Sequence, residues 1–175
     1  MHRPADATTP WVGQDEFGRL TSSPLARSWL TEAGSLTARL RQHHPQLAVD
    51  VVGEHLEPPL AEEALRLALD SGDIAWVREV TLHENGLALL QARTVIPNWS
   101  PANPWCEVQR LGRRPLGEIL FSDPELERSR FEFTCGPGWR ESCMVPVPDR
   151  LARRCIFRRQ GVPLLLTERF LRIEP

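Results

Sequence analysis

The stretch Asp73-Ile74-Ala75-Trp76-Val77-Arg78-Glu79-Val80-Thr81-Leu82-His83, its turn Asn85-Gly86, and its return Leu87-Ala88-Leu89-Leu90-Gln91-Ala92-Arg93-Thr94-Val95-Ile96 decide the fold of this chain. Asn-Gly tolerates the two positive φ angles of a type I′ turn, so the apolar runs on either side read as an antiparallel hairpin. The return ends at Pro97, which has no N–H to give to a ladder. Side chains alternate along a strand, which puts Ile74, Trp76, Arg78, Val80 and Leu82 on one face. Arg78 has only apolar companions there, so it is expected to point into the interior. A guanidinium does not shed its charge, and burying it unpaired is costly. Near the other end, Leu164, Leu166 and Phe170 share a parity with Glu168. Arg78 and Glu168 therefore either pair with each other or hold the two ends of a small polar ligand. Glu79, the neighbour of Arg78, points to the opposite face.

Outward from this hairpin the chain alternates short helices and strands. Residues 1–22 are polar without a sustained period and read as an arm, ordered only where it packs on something. Residues 23–175 read as one domain. Ser22, Ser23 and Pro24 make a helix start, with serine at the cap and proline in the first turn, and Leu25, Trp29 and Leu30 form its buried stripe. Gly34 interrupts it, and Ser35 is placed to cap a second helix carrying Leu36 and Leu40. A β-rich run follows over Leu47 to Leu56, then the Pro58-Pro59 break and a short helix over Leu60 to Leu69. Beyond the hairpin, Asn98 to Pro104 is a loop. Pro115 starts a helix over Leu116 to Phe121, and Arg130 to Cys135 alternates as a half-buried strand. The connector Gly136 to Arg150 carries Gly136, Pro137, Gly138, Pro146 and Pro148 and fits no regular element. Ala152 to Arg159 and Pro163 to Ile173 flank Gln160-Gly161 as a final hairpin. Hairpin-linked strands with short helices in separate blocks predict an α+β fold with a single antiparallel sheet.

Composition excludes more than it suggests. At 175 residues, the chain is long enough to bury roughly 70% of its unfolded surface in one core. A net charge of −2 leaves no basic footprint for nucleic acid or an anionic membrane. No apolar stretch approaches a membrane span, and the first residues lack the apolar region of a signal peptide, so a cytoplasmic location is expected. Cys106, Cys135, Cys143 and Cys155 show no metal-ligand spacing among themselves or with the histidines, and they read as reduced thiols with no structural metal. The six tryptophans, in a chain without tyrosine, are expected to supply much of the aromatic burial.

Trp76-Val77-Arg78-Glu79 with Ala92-Arg93-Thr94-Val95-Ile96-Pro97 resembles the central hairpin of bacterial chorismate pyruvate-lyases. Leu111-Gly112-Arg113-Arg114-Pro115-Leu116-Gly117 with Leu120-Phe121, and Gly161-Val162-Pro163-Leu164-Leu165-Leu166-Thr167-Glu168 with Phe170-Leu171, are similar to later segments of the same family. Trp29-Leu30 and Ser35-Leu36-Thr37 fall where that family has its first helices. The resemblance runs in order from about Trp29 to Leu171. It implies one antiparallel sheet with short helices over one face and the ligand enclosed beneath two helical flaps. It implies an enzyme that splits chorismate into 4-hydroxybenzoate and pyruvate without a cofactor, the first committed step toward ubiquinone.

The resemblance further implies that Arg78 binds the ring carboxylate and Glu168 the 4-hydroxyl, while Leu36 and Leu116 offer backbone N–H groups to the carboxylate. Helix starts suit that task, because first-turn amides lack intrahelical partners. Two departures from the family pattern stand out. Leu151-Ala152-Arg153-Arg154-Cys155 stands where the family commonly has tryptophan, glycine or alanine, two arginines and serine, and the connector Gly136 to Arg150 is longer than usual; Leu36 also stands where a methionine is frequent. Arg153-Arg154 reads as a solvated or hairpin-lining pair rather than a substrate clamp, and Arg93 and Arg113 as surface residues rather than contacts of the pyruvyl carboxylate. The expected partners are chorismate and 4-hydroxybenzoate, with no nucleic acid and no membrane insertion, and a monomer is expected. The rival is an effector-binding module of the same fold that holds a small molecule without converting it.

Overall fold

A computed structural model of the chain describes residues 10–135 and 151–173, so the connector Gly136 to Arg150 lies outside the described residues. The strands are β1 (Ala48–Glu57), β2 (Ala75–Glu84), β3 (Leu87–Pro97), β4 (Glu127–Arg128), β5 (Glu132–Cys135), β6 (Leu151–Arg159) and β7 (Val162–Phe170). They form one antiparallel sheet in the order β1-β2-β3-β7-β6-β4, with β5 also on β6. Both two-residue turns adopt the positive φ pair that a type I′ hairpin needs: Asn85 and Gly86 at 49° and 81°, Gln160 and Gly161 at 50° and 79°. The β2–β3 register slips by one between Leu82 and His83. That slip sets Arg78 opposite Thr94 and Glu79 opposite Arg93.

Among the described residues four short helices, α1 (Pro24–Leu30), α2 (Leu36–His43), α3 (Ala61–Leu67) and α4 (Gly117–Leu120), accompany the sheet. Ser23 and Ser35 cap α1 and α2 as expected: each hydroxyl accepts from the amide three residues on, Ala26 and Ala38, at 3.2 Å. The face carrying Trp76, Leu82, Leu90, Leu164 and Phe170 packs the main core with α1, α2 and α4. From Pro10 onward the N-terminal stretch is also packed. Val12 bridges to Phe133, and the ring of Phe17 lies 4.2 Å from that of Phe133. Of the tryptophans, Trp29, Trp76 and Trp105 are buried.

On the opposite face, Val77, Val95, Ile156 and Leu165 form a smaller cluster beneath α3, against which Leu67 packs. Here the structure corrects two readings. Arg93, expected at the surface, is 1% exposed and donates to Glu63 at 2.7 and 3.1 Å, Glu79 at 2.6 Å and Glu57 at 2.9 Å. Burial alone would lower its pKa, but Glu63, Glu79 and Glu57 more than offset this and hold the guanidinium more firmly charged. Arg153 and Arg154, expected in solvent or lining a hairpin, are buried on opposite faces, Arg154 against Glu132 at 2.7 Å. Strand alternation forces that split. Arg113 is exposed, as read, and pairs with Asp50.

Two boundaries also differ. Ile74 stands outside the strand and is half-exposed, since β2 pairing with β1 begins at Ala75 opposite Glu57. The helix read over Leu60 to Leu69 stops at Leu67, because Ala68 turns left-handed at φ 53° and Leu69 donates back to the carbonyl of Ala64.

Candidate functional site

On the main-core face of the sheet lies a cavity walled by β2, β3, β7 and β6 and roofed by the starts of α2 and α4. All four residues singled out from the sequence line it: Leu36, Arg78, Leu116 and Glu168. The pairing explains why. Val80, Ala92, Glu168 and Arg153 form one cross-strand row, and Arg78, Thr94, Leu166 and Cys155 the next row on the same face. Arg78 and Glu168 are thus two strands apart in adjacent rows, at ~4.8 Å per strand.

They do not pair with each other. Arg78 is 2% exposed, and its Nη1 donates to Glu54, its direct neighbour across β1. Its Nη2 donates to the carbonyls of Gly112 at 2.7 Å and Arg114 at 3.2 Å. Gly112, at φ 54°, turns the chain so that these carbonyls converge on Arg78 just before α4 begins. Glu168 instead accepts from Arg153 Nε at 2.6 Å. Arg153 Nη1 reaches the carbonyls of Leu30, the last residue of α1, at 3.2 Å and Glu32, in the turn that follows, at 2.7 Å. Each end of the cavity therefore holds an ion pair tied to one of the two helical roof segments, buried at Arg153–Glu168 and part-buried at Arg78–Glu54, whose glutamate reaches solvent.

The roof itself is tight. Leu36 is the first residue of α2 and Leu116 caps α4, so both have amides at helix starts. The two starts abut: a methyl on Gly117 would lie 3.0 Å from Ser35 Oγ. A side chain there would require Ser35 or the roof to give by a few tenths of an ångström. Val80, Leu82, Leu90, Phe157 and Leu166 make the rest of the lining largely apolar. Cys155 joins them as a neutral thiol, since burial and then the nearby charge of Glu168 push its pKa up to about 12.

Three residues of the site escaped the sequence reading: Glu54, Arg153 and Arg128. Arg153 was within reach of counting, because a two-residue turn at Gln160-Gly161 sets it directly opposite Glu168. Glu54 was not, since the β1–β2 register shifts between Val51 and Gly53. Arg128 sits on a two-residue strand that carries no periodic signal. Among the described residues, no three His, Cys, Asp or Glu side chains converge to hold a metal ion, and no helix is long and apolar enough to cross a membrane.

The sequence pattern of the family described as chorismate lyase matches residues 7–174. A protein of Hydrogenovibrio crunogenus named probable chorismate pyruvate-lyase is 37% identical over 165 residues, covering 92% of this chain and 89% of the relative. One of Shewanella amazonensis, with the same name, is 40% identical over 168 residues, covering 92% and 86%. Among solved structures, the effector domain of PhnF from Mycobacterium smegmatis superposes with a TM-score of 0.53 at 14% identity, covering 78% of this chain and 88% of that one. A PhnF C-terminal domain gives 0.55 at 18% identity, covering 75% and 86%. At such identities these two structures speak to the fold alone.

Proposed function

The chain belongs to the chorismate lyase family of enzymes, and from that premise we propose that it eliminates pyruvate from chorismate to leave 4-hydroxybenzoate, without a cofactor, as the step that commits chorismate to ubiquinone. The observation that carries this reading is the placement of Arg78 and Glu168 in neighbouring rows of one apolar cavity, each anchored by a partner of its own. In this reading Arg78 meets the ring carboxylate, helped by the amides of Leu36 and Leu116, and Glu168 accepts the 4-hydroxyl.

Chorismate carries its enolpyruvyl ether at C3 and its hydroxyl at C4 in trans relation. The hydrogen on C4 then shares a face with the departing ether oxygen. A six-membered arrangement moves that hydrogen to the enolpyruvyl methylene as the C3–O bond breaks, giving pyruvate and an aromatic ring together. Aromatisation supplies the driving force, so the protein's task is to hold the reactive conformer in a site that excludes water. Arg153 and Arg78 suit that task because their own positions are fixed by backbone carbonyls.

Incubation of the purified protein with chorismate tests the reading: 4-hydroxybenzoate and pyruvate should form in equal amounts. Tight binding of chorismate with no product would sink it and favour an effector-binding module. The Glu168→Gln variant then separates two mechanisms. A glutamine still accepts the hydroxyl, so the positioning account expects a loss in kcat of about tenfold. A general base would cost about 10²–10⁴-fold with binding intact.

A further inference from the structure

We infer that Arg128 binds the second carboxylate of the substrate, the one on the enolpyruvyl arm, and so lets the cavity tell substrate from product. The inference rests on the chorismate reading above and adds to it a residue that the resemblance does not assign. Three guanidinium groups line the cavity: Arg78, Arg153 and Arg128. The first is matched by Glu54 and the second by Glu168. Arg128, among the described residues, has no carboxylate partner. Its Nη1 donates to the carbonyl of Ala33 at 2.6 Å, and its guanidinium lies 4.7 Å from the centre of the Phe131 ring.

With the two ion pairs taken as neutral, the lining therefore keeps one positive charge. A substrate with two carboxylates carries one more negative charge than its aromatic product, and Arg78 serves only the group that both share. Position agrees with charge. Along the sheet the ionic side chains run Arg78 on β2, Glu168 on β7, Arg153 on β6 and Arg128 on β4. Arg78 and Arg128 thus mark opposite ends, and the wall continues beyond Glu168, where a ring held by its acid and hydroxyl would stop.

Arg128 also stands at the mouth. It lines the adjoining open cleft between Ala33 of the α1–α2 turn and Phe121 after α4. The acid of that cleft, Asp123, is engaged by Arg159 at 3.4 Å. An anionic arm entering there finds Arg128 as its cation. Once the C3–O bond breaks, the released pyruvate takes this carboxylate with it and leaves Arg128 facing the exit.

The test compares ligands with and without the arm. Arg128→Gln keeps a donor for the Ala33 carbonyl while removing the charge. The inference expects KM for chorismate to rise about tenfold or more, as for loss of one charge-assisted hydrogen bond. The inhibition constant of 4-hydroxybenzoate should move less than about threefold. The salt dependence of kcat/KM should also flatten in the variant. Equal losses for chorismate and 4-hydroxybenzoate would overturn the inference and make Arg128 a strut of the roof. An unchanged KM would overturn it too. If the unsubstituted protein makes no 4-hydroxybenzoate, the chorismate reading falls and this inference with it; turnover in the parent with an indifferent variant sinks the inference alone.

Discussion

Arg78 shows how a side chain that belongs in water is kept inside. It does not rely on a ligand for its charge balance, because Glu54 supplies that from the edge strand while two carbonyls fix the guanidinium plane. What the cavity receives is a cation already oriented, and little rearrangement is left for binding. Lysine carries the charge but not the fork that reaches Glu54 and two carbonyls at once. Arg78→Lys should therefore lower kcat/KM by about 10²-fold, measured by initial rates on chorismate, while Glu54→Gln should cost less than tenfold. Arg78→Lys within threefold of the parent would show that orientation is unimportant. That Arg78 faces inward was legible from its apolar companions. Its partner was not, and Glu168 was a reasonable suspect until the register separated them.

At the scale of elements, the six longer strands were readable from their alternation and both hairpins from the turns at Asn85-Gly86 and Gln160-Gly161, whereas the two-residue β4 was not. The serine caps of α1 and α2 were readable for the same reason, each having one evident local partner. Register slips were not, since they arise where neighbouring strands twist and pack rather than from any single residue. The slip after Leu82 matters most: an unshifted count from Asn85-Gly86 would put Arg78 opposite Arg93, two like charges, instead of opposite Thr94. The roof depends on another close fit. Because a methyl on Gly117 would crowd Ser35 Oγ at 3.0 Å, Gly117→Ala should part the starts of α2 and α4 and weaken 4-hydroxybenzoate binding several-fold. Adding Ser35→Ala should restore part of that affinity, although it also removes a cap. Strictly additive losses in calorimetric titrations would argue against contact between the two helix starts.

The whole molecule is a sheet with two unlike faces. One encloses an apolar cavity with its ions at the ends; the other buries Arg93 among three glutamates and sets Arg154 and Arg66 on Glu132. This second network escaped the sequence reading because Arg93, Glu63 and Glu57 meet only once α3 folds over the sheet. It should give stability a pH dependence of definite sign. Burial would raise the pKa of Glu132, but Arg154 and then Arg66 outweigh it and hold the carboxyl below its ordinary value. Its stabilising contribution is thus full above the ordinary carboxylate range and lost as pH falls through the lowered folded value. Glu132→Gln should be less stable than the parent at pH 7, and the gap should close in acid, measured by urea unfolding across pH. A gap that ignores pH would count against the ion pairs. What the cavity holds between Arg78 and Glu168 decides what the protein does. A crystal structure with 4-hydroxybenzoate tests this most directly: its carboxylate should lie on Arg78 beside the amides of Leu36 and Leu116, with its hydroxyl on Glu168. A ring bound in the reverse sense, or anywhere outside this cavity, would contradict it.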